Sequence, residues 1–538
     1  MACENSIYSN EATDYIVGIF RGDEYVEQVY KPDCIIPLDD FQGVIFRQIS
    51  TGENIRAAIR QFGFAAIPNL YGLMSDVDLE ASGVQAIRRQ PYLDLYGQGV
   101  LIGMVDTGID FTHEAFVAAD GTSRIVSIWD QTIEDGEGVP GIPYGREFTR
   151  EKIDEALASE DPYMLVPSTD ENGHGTFMAG VAAGNEMPER DFSGVAPLSE
   201  LVVVKCKQAK RIYRDYYGIP EDVPAYQEND LMTAVKYLLD VARGQNKPII
   251  ICIGMGTNMG SHDGGGALSG FLERYNRVAG VCIMTCAGNE GNAGHHHLID
   301  KKEDTINIAV SGNQPGFMCQ IWWRTPGGLV FDLISPSGQL YSDIWAAKGE
   351  MMRFRFSPEN TIIEVYFGVA QEQSREQVVV LHFENVKVGT WKILVKSEYD
   401  SPNFHSWLPI RQFLKEPVVF LDADPDTTIN SLGTGLYTMM VSAYDTTEQS
   451  LYLQAGRGFT PTGYVKPIVV APGVNVRGPI RGNRYGTMSG TSVATAFATG
   501  VAAMFMQQYE EEQLNGIGIR EIFIRGAVPR GTPYPNTE

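Results

Sequence analysis

The sequence predicts an α/β protein built on a doubly wound, mostly parallel sheet, with a small α+β unit ahead of it and an antiparallel β-sandwich inserted in it. Three observations carry this reading. Continuous apolar runs such as 100–105 read as strands covered on both faces. Helix-like stretches alternate with such strands along 200–285. From about Gly312 the texture changes to short strands with turn signals and no clear long helix.

In chain order, residues 1–74 predict the α+β unit: strand-like 15–20 and 43–46, a helix-like 53–62, then Ala65-Ala66-Ile67-Pro68. A unit of that size barely holds together alone, and its place ahead of the chemically suggestive motifs marks it as a prosegment. Residues 75–311 predict the first part of the α/β domain, with strands at 201–205, 248–253 and 280–285 and helices at 228–243 and 267–278. Residues 312–428 predict the inserted sandwich, jelly-roll-like in texture, and 429–538 the return to core strands and a final buried helix.

The 538-residue chain carries 42 basic and 67 acidic side chains, a formal charge of −25, which disfavours nucleic acid and anionic membranes as partners. No apolar run is long enough to span a bilayer. The first residues show no secretion signal, so the expectation is a protein made in the cytoplasm. Seven cysteines at scattered spacings fit reduced thiols. No carboxylate loop specifies a metal, and no cofactor is expected. His295, His296 and His297 are adjacent, so they converge poorly on one ion, and a surface or mouth-lining role is the stronger reading. Cys286 reads as a small buried residue rather than a redox-sensitive thiol.

Four motifs carry chemistry. Val105-Asp106-Thr107-Gly108 ends a buried strand in an acidic turn, where ligands of parallel sheets sit. Asn172-Gly173-His174-Gly175-Thr176 leaves an imidazole room to turn at the mouth of a small-residue helix. Ala287-Gly288-Asn289 is a glycine-rich turn whose amide is suited to donate to an oxyanion. Gly490-Thr491-Ser492 places a hydroxyl at a loop-to-helix junction. Each motif alone also reads as an ordinary cap or turn. Together Asp106, His174, Asn289 and Ser492 supply an orienter, a base, an oxyanion donor and a nucleophile, in the order Asp, His, Ser.

Val-Asp-Thr-Gly-Ile-Asp at 105–110, Asn-Gly-His-Gly-Thr at 172–176, Ala-Gly-Asn-Glu-Gly at 287–291 and Gly-Thr-Met-Ser-Gly-Thr-Ser at 486–492 resemble the motifs of the subtilisin family, the subtilases. The resemblance implies a serine endopeptidase with Ser492 as nucleophile, His174 as base, Asp106 as its orienter and Asn289 at the oxyanion. It implies that Gly254-Met255-Gly256 pairs with the peptide substrate by β-augmentation, with Ala287 and Gly288 also lining the substrate site. It places a prosegment cut near Met74, with Tyr71-Gly72-Leu73-Met74 lying in the cleft as a product-like inhibitor. The absent signal, the Gly-Thr-Ser-Val-Ala motif, the histidines after Asn289 and the insert together resemble the Csp spore-germination proteases. That likeness implies activation of a spore-cortex-lytic hydrolase zymogen by limited proteolysis, a self-cleaved prosegment that stays bound, and packaging in the spore. The rival expectation is a silent or self-cleaving-only scaffold acting as a binding or germination-signalling protein.

Overall fold

The computed structural model describes residues 6–48, 55–74, 95–324, 328–345, 350–369 and 376–528. Its central sheet has nine strands, in the order Ser450–Leu451, Met439–Asp445, Val281–Cys286, Ile249–Ile253, Leu101–Asp106, Glu200–Lys205, Ile125–Asp130 and Arg146–Thr149, with Val469–Pro472 also against Met439–Asp445. The interior pairings are parallel and the two edge strands are antiparallel.

Period-two alternation explains the two layers of helices. Ile102, Met104, Ile250, Cys252, Cys282 and Met284 face one core with helices His174–Ala183 and Thr491–Gln508. Leu101, Val105, Ile249, Ile251, Val281 and Ile283 face the other, under helices Glu228–Gln245 and Ala267–Tyr275. Leu101–Asp106 lies where the strand order reverses: its neighbours are Glu200–Lys205 on one side and Ile249–Ile253 on the other. The crevice beyond its carboxyl end is where such sheets bind ligands, and Asp106 is the last residue of that strand.

The N-terminal unit is a three-stranded antiparallel sheet with Gln42–Gln48 between Ala12–Gly18 and Cys34–Pro37. Helices Asp23–Tyr30 and Ile55–Phe62 accompany it. The expected helix start at 53–54 lies outside the described residues, and the apolar 65–68 segment overlaps a short 3-10 turn, Phe64–Ala66. The unit docks through Asp14, whose side chain is wholly buried and ion-paired with Lys210. Gln227 Nε2 and Asn229 Nδ2 donate to the same carboxylate at 2.9 and 3.3 Å.

The insert is two antiparallel sheets packed face to face around one aromatic-rich core. One sheet begins at His296–Ile299 and the other includes Glu303–Val310, so strand formation starts upstream of the expected 312; its last strand is Val418–Phe420. Local pattern assigns the two early strands to the α/β part because their partners, Phe404–Trp407 and Gly389–Ser397, lie about a hundred residues further on. Cys34 is disulfide-bonded, which corrects the reading of all seven cysteines as thiols. Cys206, Cys252, Cys282, Cys286 and Cys319 are free and buried. Among the described residues no helix is long and apolar enough to cross a membrane.

Candidate active site

His174 opens its helix because Gly173 takes a left-handed turn (φ 89°), which costs glycine little. Asp170 organises this entry. Its Oδ1 accepts from Thr107 Oγ1 and Gly173 N at 2.7 and 2.8 Å, and its Oδ2 from Thr176 N and Oγ1 at 2.8 and 2.6 Å. The result is a fixed imidazole: His174 Nδ1 lies 2.7 Å from Asp106 Oδ1, and Nε2 lies 3.2 Å from Ser492 Oγ. All three side chains are buried. Burial disfavours the imidazolium, but the charge and hydrogen bond of Asp106 outweigh it, with help from Asp170, and hold His174 above its ordinary pKa.

Gly254 closes this assembly. A Cβ there would lie 3.0 Å from His174 Cε1 and 3.2 Å from Asp106 Oδ2, so a side chain would press on the imidazole. Asn289 is positioned by Thr491, whose N–H and hydroxyl donate to its Oδ1 at 3.1 and 3.0 Å. With the amide oxygen committed, the Nδ2 group is left to act as a donor.

The segment Leu70–Leu73 runs through the same crevice as the middle strand of a three-stranded antiparallel sheet. On one side Leu73 and Gly72 face Met255 and Gly256; on the other Leu70 and Tyr71 face Gln227 and Tyr226. Met74 N donates to Gly254 O at 3.2 Å. Its carbonyl oxygen receives Ser492 Oγ at 2.9 Å and Ser492 N at 3.4 Å. The residue that follows, Ser75, lies outside the described residues.

Residues 97–319 and 418–537 match the family described as "Subtilase family". This chain is a subtilase. The break in the match falls inside the pair of antiparallel sheets. The C5a peptidase of Streptococcus pyogenes serotype M1 is 22% identical over 456 residues, covering 77% of this chain and 35% of that protein. Subtilisin-like protease SBT2.2 of Arabidopsis thaliana is 23% identical over 500 residues, covering 77% of this chain and 55% of that protein. This subtilase therefore spans between about a third and about half of those relatives. The solved CspB protease of Clostridium perfringens superposes with a TM-score of 0.73 at 29% identity, covering 82% of this chain and 92% of that one.

Two expected substrate-site residues of the subtilase, Ala287 and Gly288, are bonded into the turn before Asn289. Ala287 N donates to Val441 O and Ala287 O accepts from Asn430 N, while Gly288 N donates to Thr491 Oγ1 and Gly288 O accepts from Gly456 N. These bonds hold the turn that carries Asn289. His295, His296 and His297 are buried, not at a mouth. His295 lies 2.7 Å from Glu290, His296 bonds His405 at 2.9 Å, and His297 bonds Asp422 O at 2.8 Å. Burial lifts the Cys286 thiol to about 12, which leaves it inert.

Other residues escaped the motif reading. Tyr226 and Gln227 form the second wall of the crevice, and Gln412, just past the last strand of the six-stranded sheet, donates to Leu73 O. A two-residue strand and a single glutamine carry no sequence signal. Asp170 did carry one, being an acidic residue three positions ahead of a glycine at a helix start.

Proposed function

We propose that this subtilase is a serine endopeptidase with Ser492 as nucleophile, His174 as base, Asp106 as orienter and Asn289 as oxyanion donor. Residues 1–74 are its prosegment, cut by the same site. The observation that carries the reading is the position of the Met74 carbonyl, 2.9 Å from a serine hydroxyl that His174 links to Asp106.

The chemistry follows from those contacts. Ser492 Oγ attacks the Met74 carbonyl carbon and gives its proton to His174 Nε2. The charge that develops on the carbonyl oxygen is met by the Ser492 N–H and the Asn289 amide. Collapse breaks the bond to Ser75, whose nitrogen takes the proton from Nε2, and water then hydrolyses the acyl-enzyme to free Ser492.

The paired strand that remains in the crevice supports a product-like inhibitor, so turnover on another protein requires residues 70–74 to leave. The likeness to the Csp spore-germination proteases supports a cortex-lytic hydrolase zymogen as the protein substrate, and storage in the spore. The filled crevice equally favours the narrower reading of a protease that cuts only itself.

The test is intact mass and N-terminal sequence of the unsubstituted chain beside Ser492→Ala. Cutting near Met74 in the first and none in the second is the expected result. Two uncut chains, or two chains cut alike, would sink the proposal. Incubating the cut chain with a cortex-lytic zymogen then separates the wider reading from the narrower.

A further inference from the structure

Arg56, on helix Ile55–Phe62 of the N-terminal unit, ends between two carboxylates of the insert: its Nε pairs with Glu364 and its Nη2 with Glu384. Strand register brings those carboxylates together. Thr361–Val369 and Gln377–Val386 are antiparallel with Glu364 opposite His382, and Glu384, two residues on, shares the face of His382.

His382 is the unusual member. Its Nδ1 is buried without a hydrogen-bond partner and lies 3.8 Å from both Glu364 Oε2 and Glu384 Oε1, beyond hydrogen-bond reach. Tyr216 packs against its ring at 4.8 Å between centroids. The three ligand-capable atoms all lie within 4.8 Å of one another. Arg353 addresses the outer oxygens, at 3.5 Å from Glu364 Oε1 and 3.3 Å from Glu384 Oε2, and is itself more than half exposed.

We propose that Glu364, His382 and Glu384 form a site for a divalent cation of the zinc class, which Arg56 plugs while the N-terminal unit is docked. Two carboxylate oxygens and one imidazole nitrogen are a donor set suited to zinc, which takes oxygen and nitrogen ligands at about 2.0–2.2 Å and leaves the remaining position to water. The guanidinium satisfies the carboxylates and leaves His382 Nδ1 without a hydrogen-bond partner; a metal ion, binding the neutral imidazole through Nδ1, takes all three. Withdrawing Arg56 leaves the two carboxylates with only the more exposed Arg353 at their outer oxygens, and their inner oxygens open to another cation. Metal and docked N-terminal unit therefore exclude one another, and each weakens the other by the same factor.

Calorimetric titration of Zn²⁺ into three full-length chains tests this: unsubstituted, Arg56→Ala, and Arg56→Ala with His382→Ala. Histidine clusters elsewhere are common to all three and cancel. Arg56→Ala is expected to bind one equivalent more than the unsubstituted chain, and His382→Ala to weaken that binding by at least roughly tenfold. Equal binding by all three, or no added zinc in Arg56→Ala because Arg353 takes the vacated place, would overturn the proposal. If Arg56→Ala fails to fold, Arg56→Lys decides. Its single ammonium bridges the carboxylates less well, so it is expected to admit zinc where the unsubstituted chain does not; identical titrations of those two chains refute the site.

Discussion

His174 sits in a field that pulls its proton affinity in two directions, burial downward and Asp106 upward, with the upward pull prevailing. In the proposed mechanism His174 must be neutral to accept the Ser492 proton, so kcat/KM is expected to rise with pH through an inflection above the ordinary histidine value of about 6.5. Asp106→Asn removes the upward pull, so the inflection should move down, and kcat should fall by about 10⁴-fold. A pH–rate profile of both chains reads both effects. The same shift has a stability consequence of defined sign. A folded value above the unfolded one means that protonated His174 stabilises the fold below about pH 6.5, and that this contribution is lost as pH rises through the folded value. Asn289→Ala, which removes the amide held by Thr491, is expected to lower kcat by about 10²–10³-fold without unfolding the chain. Single-turnover kinetics beside a melting curve check both halves of that statement.

Elements, more than single side chains, set how closely these groups approach. Helix His174–Ala183 packs so near the turn after Leu101–Asp106 that a Cβ on Gly175 would fall 2.2 Å from Gly108 O. Backbone cannot yield there as a flexible side chain would. Gly175→Ala should destabilise by about 1–3 kcal/mol or more, read as a lower denaturation midpoint at unchanged slope. The N-terminal strand Ala12–Gly18 meets the segment leading into helix Arg211–Tyr217 through the Asp14–Lys210 pair, with both side chains at 2% exposure or less. Lys210→Met leaves Asp14 buried without its cation, at an expected cost of about 3–5 kcal/mol. The double variant Asp14→Asn with Lys210→Met should recover part of that loss, and a double-mutant cycle measures it.

Across the whole molecule, the α/β part and the insert converge on the stretch from Leu70 to Met74. The α/β part offers Met255–Gly256 and Tyr226–Gln227 as flanking strands, and a connection inside the insert, between its strands Phe404–Trp407 and Val418–Phe420, adds Gln412. The same connection limits the size of residue 72: a Cβ there would lie 2.5 Å from Ile410 Cδ1 and 3.3 Å from Phe413 Cε1. The insert thus braces the strand in the crevice. Gln412→Ala removes one hydrogen bond, a loss of about 1 kcal/mol. The amides of residues 70–74 should then exchange with solvent roughly fivefold faster. Hydrogen exchange resolved by mass spectrometry checks this, and unchanged protection would separate the insert from the crevice.

The sequence by itself determined the four motifs, the α/β class and the small unit ahead of it. The reason is that each rests on local signals. An apolar run ending in Asp106, glycines beside His174 and Asn289, and small residues before Ser492 specify strand ends and helix starts without reference to distant chain. Only the tertiary structure decided what those ends face. The insert begins near His296 because early strands pair with partners about a hundred residues later, and no local pattern encodes such pairing. Ala287 and Gly288 bond Val441, Asn430, Thr491 and Gly456, groups that reach the turn only through folding. Tyr226, Gln227 and Gln412 wall the crevice, and Arg56 meets Glu364 and Glu384 more than three hundred residues away, because burial and charge pairing act through space and not along the chain.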